Sequence, residues 1–206
     1  MLPLFPLPLV VFPSCCLPLQ IFEARYLDLV KHCMKDDSEF GVVTQRKTRP
    51  DDNNGDQSQA ILPVGTRVKI TDFHAQANGL LGIQCTAGER FSVCTAHTAS
   101  NGLVMADVTA IDAEPIEALD SNMHELVAVL ESLTSHAFAR SLGYAEHFDA
   151  RPYLANASYL SFHLSYLLPF SIRKKYHLLD CNTAIERLVL IQQWLDQIRD
   201  EVTQNE

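Results

Sequence analysis

The chain has 206 residues, 47% of them hydrophobic and 20% charged, with a formal net charge of −9. That balance belongs to an ordinary globular protein with a real core, arranged as one large domain or two small ones. It speaks against nucleic acid: split at Pro115, the first part carries 9 basic against 13 acidic residues and the second 7 against 12, so neither half is a basic module able to neutralise phosphates.

The opening run, Leu2 to Ile21, carries no charge before Glu23. Hydropathy alone would take it for a membrane span or a signal peptide. Pro3, Pro6, Pro8, Pro13 and Pro18 argue otherwise, because each removes a backbone donor and resists a helix interior. A basic leader and a small-residue cleavage site are also missing. The run reads as short buried edge strands joined by proline turns and feeding a helix that starts near Phe22. In that helix, Phe22, Tyr26, Leu29, Val30 and Cys33 fall three and four apart on one face. Phe40 to Thr44 reads as a strand, and the polar stretch from Arg46 to Gln59 as a mobile surface loop or hairpin tip.

From Ile61 the texture is β. Val64 to Phe73 alternates apolar and polar residues, and Asn78-Gly79 signals a two-residue hairpin. Leu80 to Thr86 and Arg90 to Thr95 read as two strands linked by Ala87-Gly88-Glu89. Asn101-Gly102 turns the chain into a last strand, Leu103 to Ile111. Short strands at near-even spacing predict a compact, barrel-like β unit.

Glu114-Pro115 marks a boundary beyond which the period is helical. Asn122 with Glu125 has capping-box spacing ahead of a stripe of Met123, Leu126, Val127, Leu130 and Leu133. Tyr153, Ala157, Leu160, Leu164, Leu167 and Leu168 form a second stripe, stopped by Pro169. Ser171 caps a short helix through Leu178. Thr183 with Glu186 opens a last helix with Ile185, Leu188, Ile191, Leu195, Ile198 and Val202 on one side. A β unit followed by packed helices is an α+β order, not βαβ alternation.

The chain carries few residues in patterns that do chemistry. There is no phosphate loop, nucleophile elbow, HExxH or GxGxxG. Cys15, Cys16, Cys33, Cys85, Cys94 and Cys181 form no CxxC pair and read as reduced, buried thiols. His32, His74, His97, His124, His136, His147, His163 and His177 are scattered, as structural or surface residues. Asp51, Asp52 and Asp56 read as a solvated loop tip, and Arg46-Lys47-Thr48-Arg49 as too short a basic patch for phosphate. No catalytic, cofactor-binding or metal-ligating residue is assigned, and the binding residues stay open. Glu23 and Arg25 sit beside the helix start. Arg25 there either ties the helix to strand carbonyls or an acidic side chain, or offers a charged contact in a binding groove.

Leu17-Pro18-Leu19-Gln20-Ile21-Phe22-Glu23-Ala24-Arg25-Tyr26 resembles the LPLxIFExRY signature of the Lon protease N-terminal (substrate-binding) domain. The similarity continues through Phe40-Gly41-Val42-Val43, Val64-Gly65-Thr66, Asn78 to Ile83 and Gly88 to Val93. It reaches Leu167 to Phe170, Lys174-Lys175, Leu178 to Asp180 and Glu186-Arg187-Leu188, and so spans nearly the whole chain. The resemblance implies a PUA-like pseudo-β-barrel with one inserted helix over residues 1–115, followed by a helical bundle over 116–206. In full-length Lon this region helps recognise unfolded or degron-bearing polypeptides. The chain ends at Glu206 without the ATPase and Ser-Lys peptidase modules, so the expectation is a stand-alone, non-catalytic binding module. It would act in cytoplasmic protein quality control on a polypeptide or protein partner, with no cofactor, nucleic acid or membrane. The alternative is a small-molecule binder or sensor with a pocket between the β unit and the helices.

Overall fold

The computed structural model describes residues 1–46, 58, 60–76, 79–120, 123–144 and 155–203. The chain divides into two compact units, Met1–Ala113 and Glu114–Glu206. The first holds β1 (Leu2–Leu7), β2 (Cys16–Ile21), α1 (Ala24–Asp36), β3 (Phe40–Gln45), β4 (Ile61–Ala75), β5 (Leu81–Thr98) and β6 (Val104–Ala110). The second holds α2 (Glu125–Thr134), α3 (Ala137–Ser141), α4 (Ala157–Leu167), α5 (Ile172–Asp180) and α6 (Ala184–Thr203).

The six strands form one mixed sheet in the order β2-β5-β4-β3-β1-β6, and β6 also pairs with β5. That second pairing closes β1, β3, β4, β5 and β6 into a ring, leaving β2 on the outer edge of β5. The α+β architecture of a barrel-like sheet with one inserted helix, followed by helices, is therefore present.

β1 is interior to the sheet, not the edge strand expected from its prolines. The ladder explains how they are tolerated. β6 pairs Leu2–Leu4 and β3 pairs Leu4–Leu7, so Pro3 and Pro6 each face a single registered neighbour. A missing donor is then needed on one side only. β2 is an edge strand, with Pro18 opposite Gln84. Between these strands Val10, Val11 and Phe12 are buried without a ladder. Their stretch is held because Thr44 Oγ1 donates to the Leu9 carbonyl at 3.0 Å and Thr66 Oγ1 to the Val11 carbonyl at 2.7 Å.

β5 is one strand of 18 residues, not two. Thr66 pairs with Arg90 and Val68 with Ala87, so Gly88-Glu89 accommodates one extra residue, a bulge that bends the strand without ending it. Its first half thereby reaches β2 and its second half β6.

The alternation of β1 and β3 divides the core. Leu2, Leu4 and Val43 pack with Phe91, Val104 and Ala106, whereas Phe5 and Val42 pack with Phe40, Val68 and Ile83 against α1. From α1 this second cluster receives Tyr26, Leu29, Val30 and Cys33. Phe22 departs from the expected stripe: it precedes the helix and is 69% exposed.

In the second unit α4 is buried on every side from Leu160 to Leu167, more than the expected stripe, because α2, α5 and α6 all pack on it. Ser171 caps α5 by accepting from Lys174 N at 3.3 Å. Thr183 Oγ1 accepts from Glu186 N at 3.2 Å, and Glu186 reaches back to the Asn182 N–H. The stripe of α6 is core only in its first half: Leu188 and Ile191 are buried while Ile198 is 44% exposed. Asn78, Asn122, Tyr153 and nearly all of the expected loop, with its aspartates and Lys47-Thr48-Arg49, lie outside the described residues.

Candidate functional site

A cleft of about 250 Å³ opens in the first unit where β1, β2 and α1 converge. Its floor comes from the end of β1 and the following turn, Phe5 to Pro8. One wall is the end of β2, Leu19 to Ile21, continuing through Phe22 and Glu23 into Arg25 and Tyr26 at the start of α1. Gln45 closes the far side, because the parallel register sets Leu7 opposite Thr44 and so brings the end of β3 alongside. The proline-leucine opening of the chain is thus the material of both the core and the cleft.

Local order at the cleft is set by aromatic stacking and one arginine. The Phe5 and Tyr26 rings stack with centroids 3.8 Å apart, locking the first turn of α1 onto β1. Burial pushes the Tyr26 phenol above its ordinary pKa, offset in part by the Arg25 guanidinium beside it. Arg25 Nη1 donates to the Gly102 carbonyl at 2.7 Å, Nε donates to Glu23 Oε2 at 2.8 Å, and the guanidinium carbon lies 4.8 Å from the Tyr26 ring centroid. Gly102 has φ +81°, the left-handed turn geometry that glycine adopts without strain. Arg25 therefore ties the helix to a turn carbonyl and an acidic side chain, as one of its two expected roles has it, and it also lines the cleft.

Cys33, Cys85 and His163, the remaining described groups with shifted pKa values, are not among the residues lining this cleft. Burial, with a smaller contribution from Cys33, pushes the Cys85 thiol up to about 12, and burial also raises Cys33, so neither supplies a thiolate at neutral pH. His163 is buried in α4, where its Nδ1 meets the Tyr144 hydroxyl and its ring stacks on Tyr159. Burial lowers its pKa to about 4. Among the described residues no group of three His, Cys, Asp or Glu side chains could hold a metal ion, and no helix is long and apolar enough to cross a membrane.

Two features escape sequence reasoning. The first is the cleft lining from Phe5 to Pro8 and Gln45, which only the β1–β3 pairing assembles. The second is a buried ion pair in the helical unit, Arg187 with Glu114. Arg187 sits on the buried side of α6, where the pattern of the helix offers only the neighbouring Leu188 as a hint.

The family model for the ATP-dependent protease La (LON) substrate-binding domain matches residues 1–197. The crystal structure of a Lon N-terminal domain protein from Xanthomonas campestris is similar, with a TM-score of 0.73 and 28% identity, covering 94% of this chain and 97% of that one. The N-terminal domain of the Mycobacterium avium complex Lon protease shares the fold, with a TM-score of 0.64 and 15% identity, covering 94% of this chain and 96% of that one. No curated protein matches. With its signature lining one wall of the cleft and the family match running over residues 1–197, the chain belongs to the Lon substrate-binding domain family.

Proposed function

We propose that this protein is a non-catalytic recognition module that binds exposed apolar segments of unfolded or partner polypeptides in the β1–β2–α1 cleft. The observation that carries the reading is Phe22. It is a large aromatic side chain, 69% exposed, at the rim of a cleft whose other apolar side chains, Phe5, Leu7, Leu19 and Ile21, come from the family signature and the strand it packs on. An exposed aromatic beside a preformed apolar recess is the usual anatomy of a peptide contact.

The mode of binding follows from β2. Pro18 lies in the middle of this edge strand and lacks a backbone donor, which makes the edge a poor template for an added strand. Insertion of an apolar side chain into the cleft is favoured over strand addition. A volume of about 250 Å³ suits one or two side chains. It falls below the roughly 300–1,000 Å³ of typical small-molecule pockets, which weighs against a sensor role at this place. We infer a cytoplasmic setting and a role in protein quality control from the substrate-binding family.

The test is titration of the purified chain with a reduced, alkylated polypeptide while backbone amide resonances are followed. Saturable shifts centred on Leu19 to Tyr26 are expected. Absence of binding, or shifts confined to other elements, would sink the reading.

A further inference from the structure

We propose that the cleft selects segments in which a large apolar side chain is next to a lysine or arginine. The inference rests on the polypeptide reading above and adds a charge preference to it. Its basis is the asymmetry of the Glu23–Arg25 pair. Arg25 is the inward partner: its side chain is 16% exposed, with Nη1 on the Gly102 carbonyl and the guanidinium over Tyr26. Its Nε and Nη2 both approach the same carboxylate oxygen, Glu23 Oε2, at 2.8 and 2.6 Å. Among the described residues no hydrogen bond reaches Glu23 Oε1, and the Glu23 side chain is 40% exposed. The charge that the rim turns outward is therefore anionic, although the pair is formally neutral.

Geometry couples that charge to the apolar contact. Phe22 and Glu23 are consecutive, and Glu23 has extended backbone, φ −83° and ψ 136°. Both residues line the same cleft, one residue, or about 3.3 Å of extended chain, apart. A segment that lays an aromatic or branched aliphatic side chain against Phe22 brings its adjacent residue alongside Glu23. A cation there gains a carboxylate partner; an anion meets repulsion. The net charge of −9 biases encounter in the same direction.

Fluorescence anisotropy with two labelled peptides, Phe-Lys-Phe and Phe-Glu-Phe, each in a Gly-Ser background, tests this on the whole chain. The lysine peptide is expected to bind about two- to fivefold tighter at low salt, the range of a half-exposed charge pair. Added salt should close the gap, and Glu23→Gln should remove it. Equal affinities, or a preference for the glutamate peptide, would overturn charge selection. A preference that persists in Glu23→Gln would overturn its assignment to this carboxylate. Should that variant fail to fold, a salt-independent gap in the native protein would be equally fatal. If neither peptide binds, the polypeptide reading falls, which separates the two failures.

Discussion

Arg187 on α6 lies directly against the carboxylate of Glu114, 73 residues earlier, with the two side chains 0% and 4% exposed. Its Nη2 contacts Oε1 and its Nη1 donates to Oε2 at 3.2 Å. Nη1 also donates to Ser161 Oγ at 2.7 Å and Nε to the Leu178 carbonyl at 2.9 Å. Ser158 donates a further bond to Glu114 Oε2 at 2.7 Å, and the guanidinium sits 4.1 Å from the Phe162 ring centroid. One cation thus fastens the first residue of the helical unit to α4, α5 and α6. Burying two charges is costly, and the network offsets that cost by supplying several partners to each.

Removing one partner leaves the other charge stranded. Arg187→Met alone should destabilise the protein by about 3–5 kcal/mol in urea unfolding. Arg187→Met combined with Glu114→Gln should cost less than the two single changes added together, because the stranded charge goes with its partner. Additive losses would show that the two residues do not act as a pair.

His163 makes stability depend on pH. Its folded pKa, lowered by burial to about 4, lies below the ordinary 6.5. Between those values the unfolded chain binds a proton that the folded protein refuses. Stability due to this group is therefore complete above pH 6.5 and is lost as pH falls towards 4. A shift of this size corresponds to about 3 kcal/mol. Comparing His163→Phe with the native protein across that window should remove this part of the slope. Identical slopes would mean that His163 protonates freely in the fold.

The β ring closes on glycines that leave room for Phe91. A Cβ on Gly41 would lie 2.6 Å from Phe91 Cζ and 2.6 Å from Leu4 Cδ2; one on Gly65 would lie 2.6 Å from Phe91 Cζ and 2.6 Å from the Val42 carbonyl oxygen. Backbone cannot yield as a side-chain tip can, so Gly65→Ala should cost about 1–3 kcal/mol or more in thermal or urea unfolding. It should exceed Gly41→Ala, where side chains alone are met. The reverse order would show that the strand backbone relaxes more readily than the Leu2–Leu4–Phe91 packing.

What could be read from the chain, and what could not, divides along contact range. Tyr26, Leu29, Val30 and Cys33 were legible as a buried face because a helix repeats within a few residues. A barrel-like unit was expected, but the single long β5 that pairs with β6 was not, since Gly88 looks like a break until β4 supplies the register that makes it a bulge. Prolines suggested edges, yet β1 is interior because its two neighbours are staggered along it. Arg187 could not be read as buried, because its partner Glu114 is too distant in sequence to suggest a pair. For the cleft, the signature marked one wall; the other needed the parallel β1–β3 pairing. Phe22 was misread for a related reason. Its spacing fits the helix, but the helix begins after it, at Ala24, so the ring is free to face solvent.

That same exposure makes Phe22 the residue at which binding and folding separate. Tyr26 is a poor probe: it is buried and stacked on Phe5, so Tyr26→Ala should cost about 3–5 kcal/mol and blur any loss of binding. Phe22→Ala removes little packing and should change stability by no more than about 0.5 kcal/mol. If the ring is the contact that draws an apolar segment to the cleft, its loss should weaken binding of an alkylated, unfolded polypeptide by at least about fivefold, the effect of an interface aromatic worth more than 1 kcal/mol. Phe22→Leu, which keeps apolar surface without the ring, should fall between the two. A Phe22→Ala protein that melts as the native one does and binds with undiminished affinity would remove the cleft from the recognition surface.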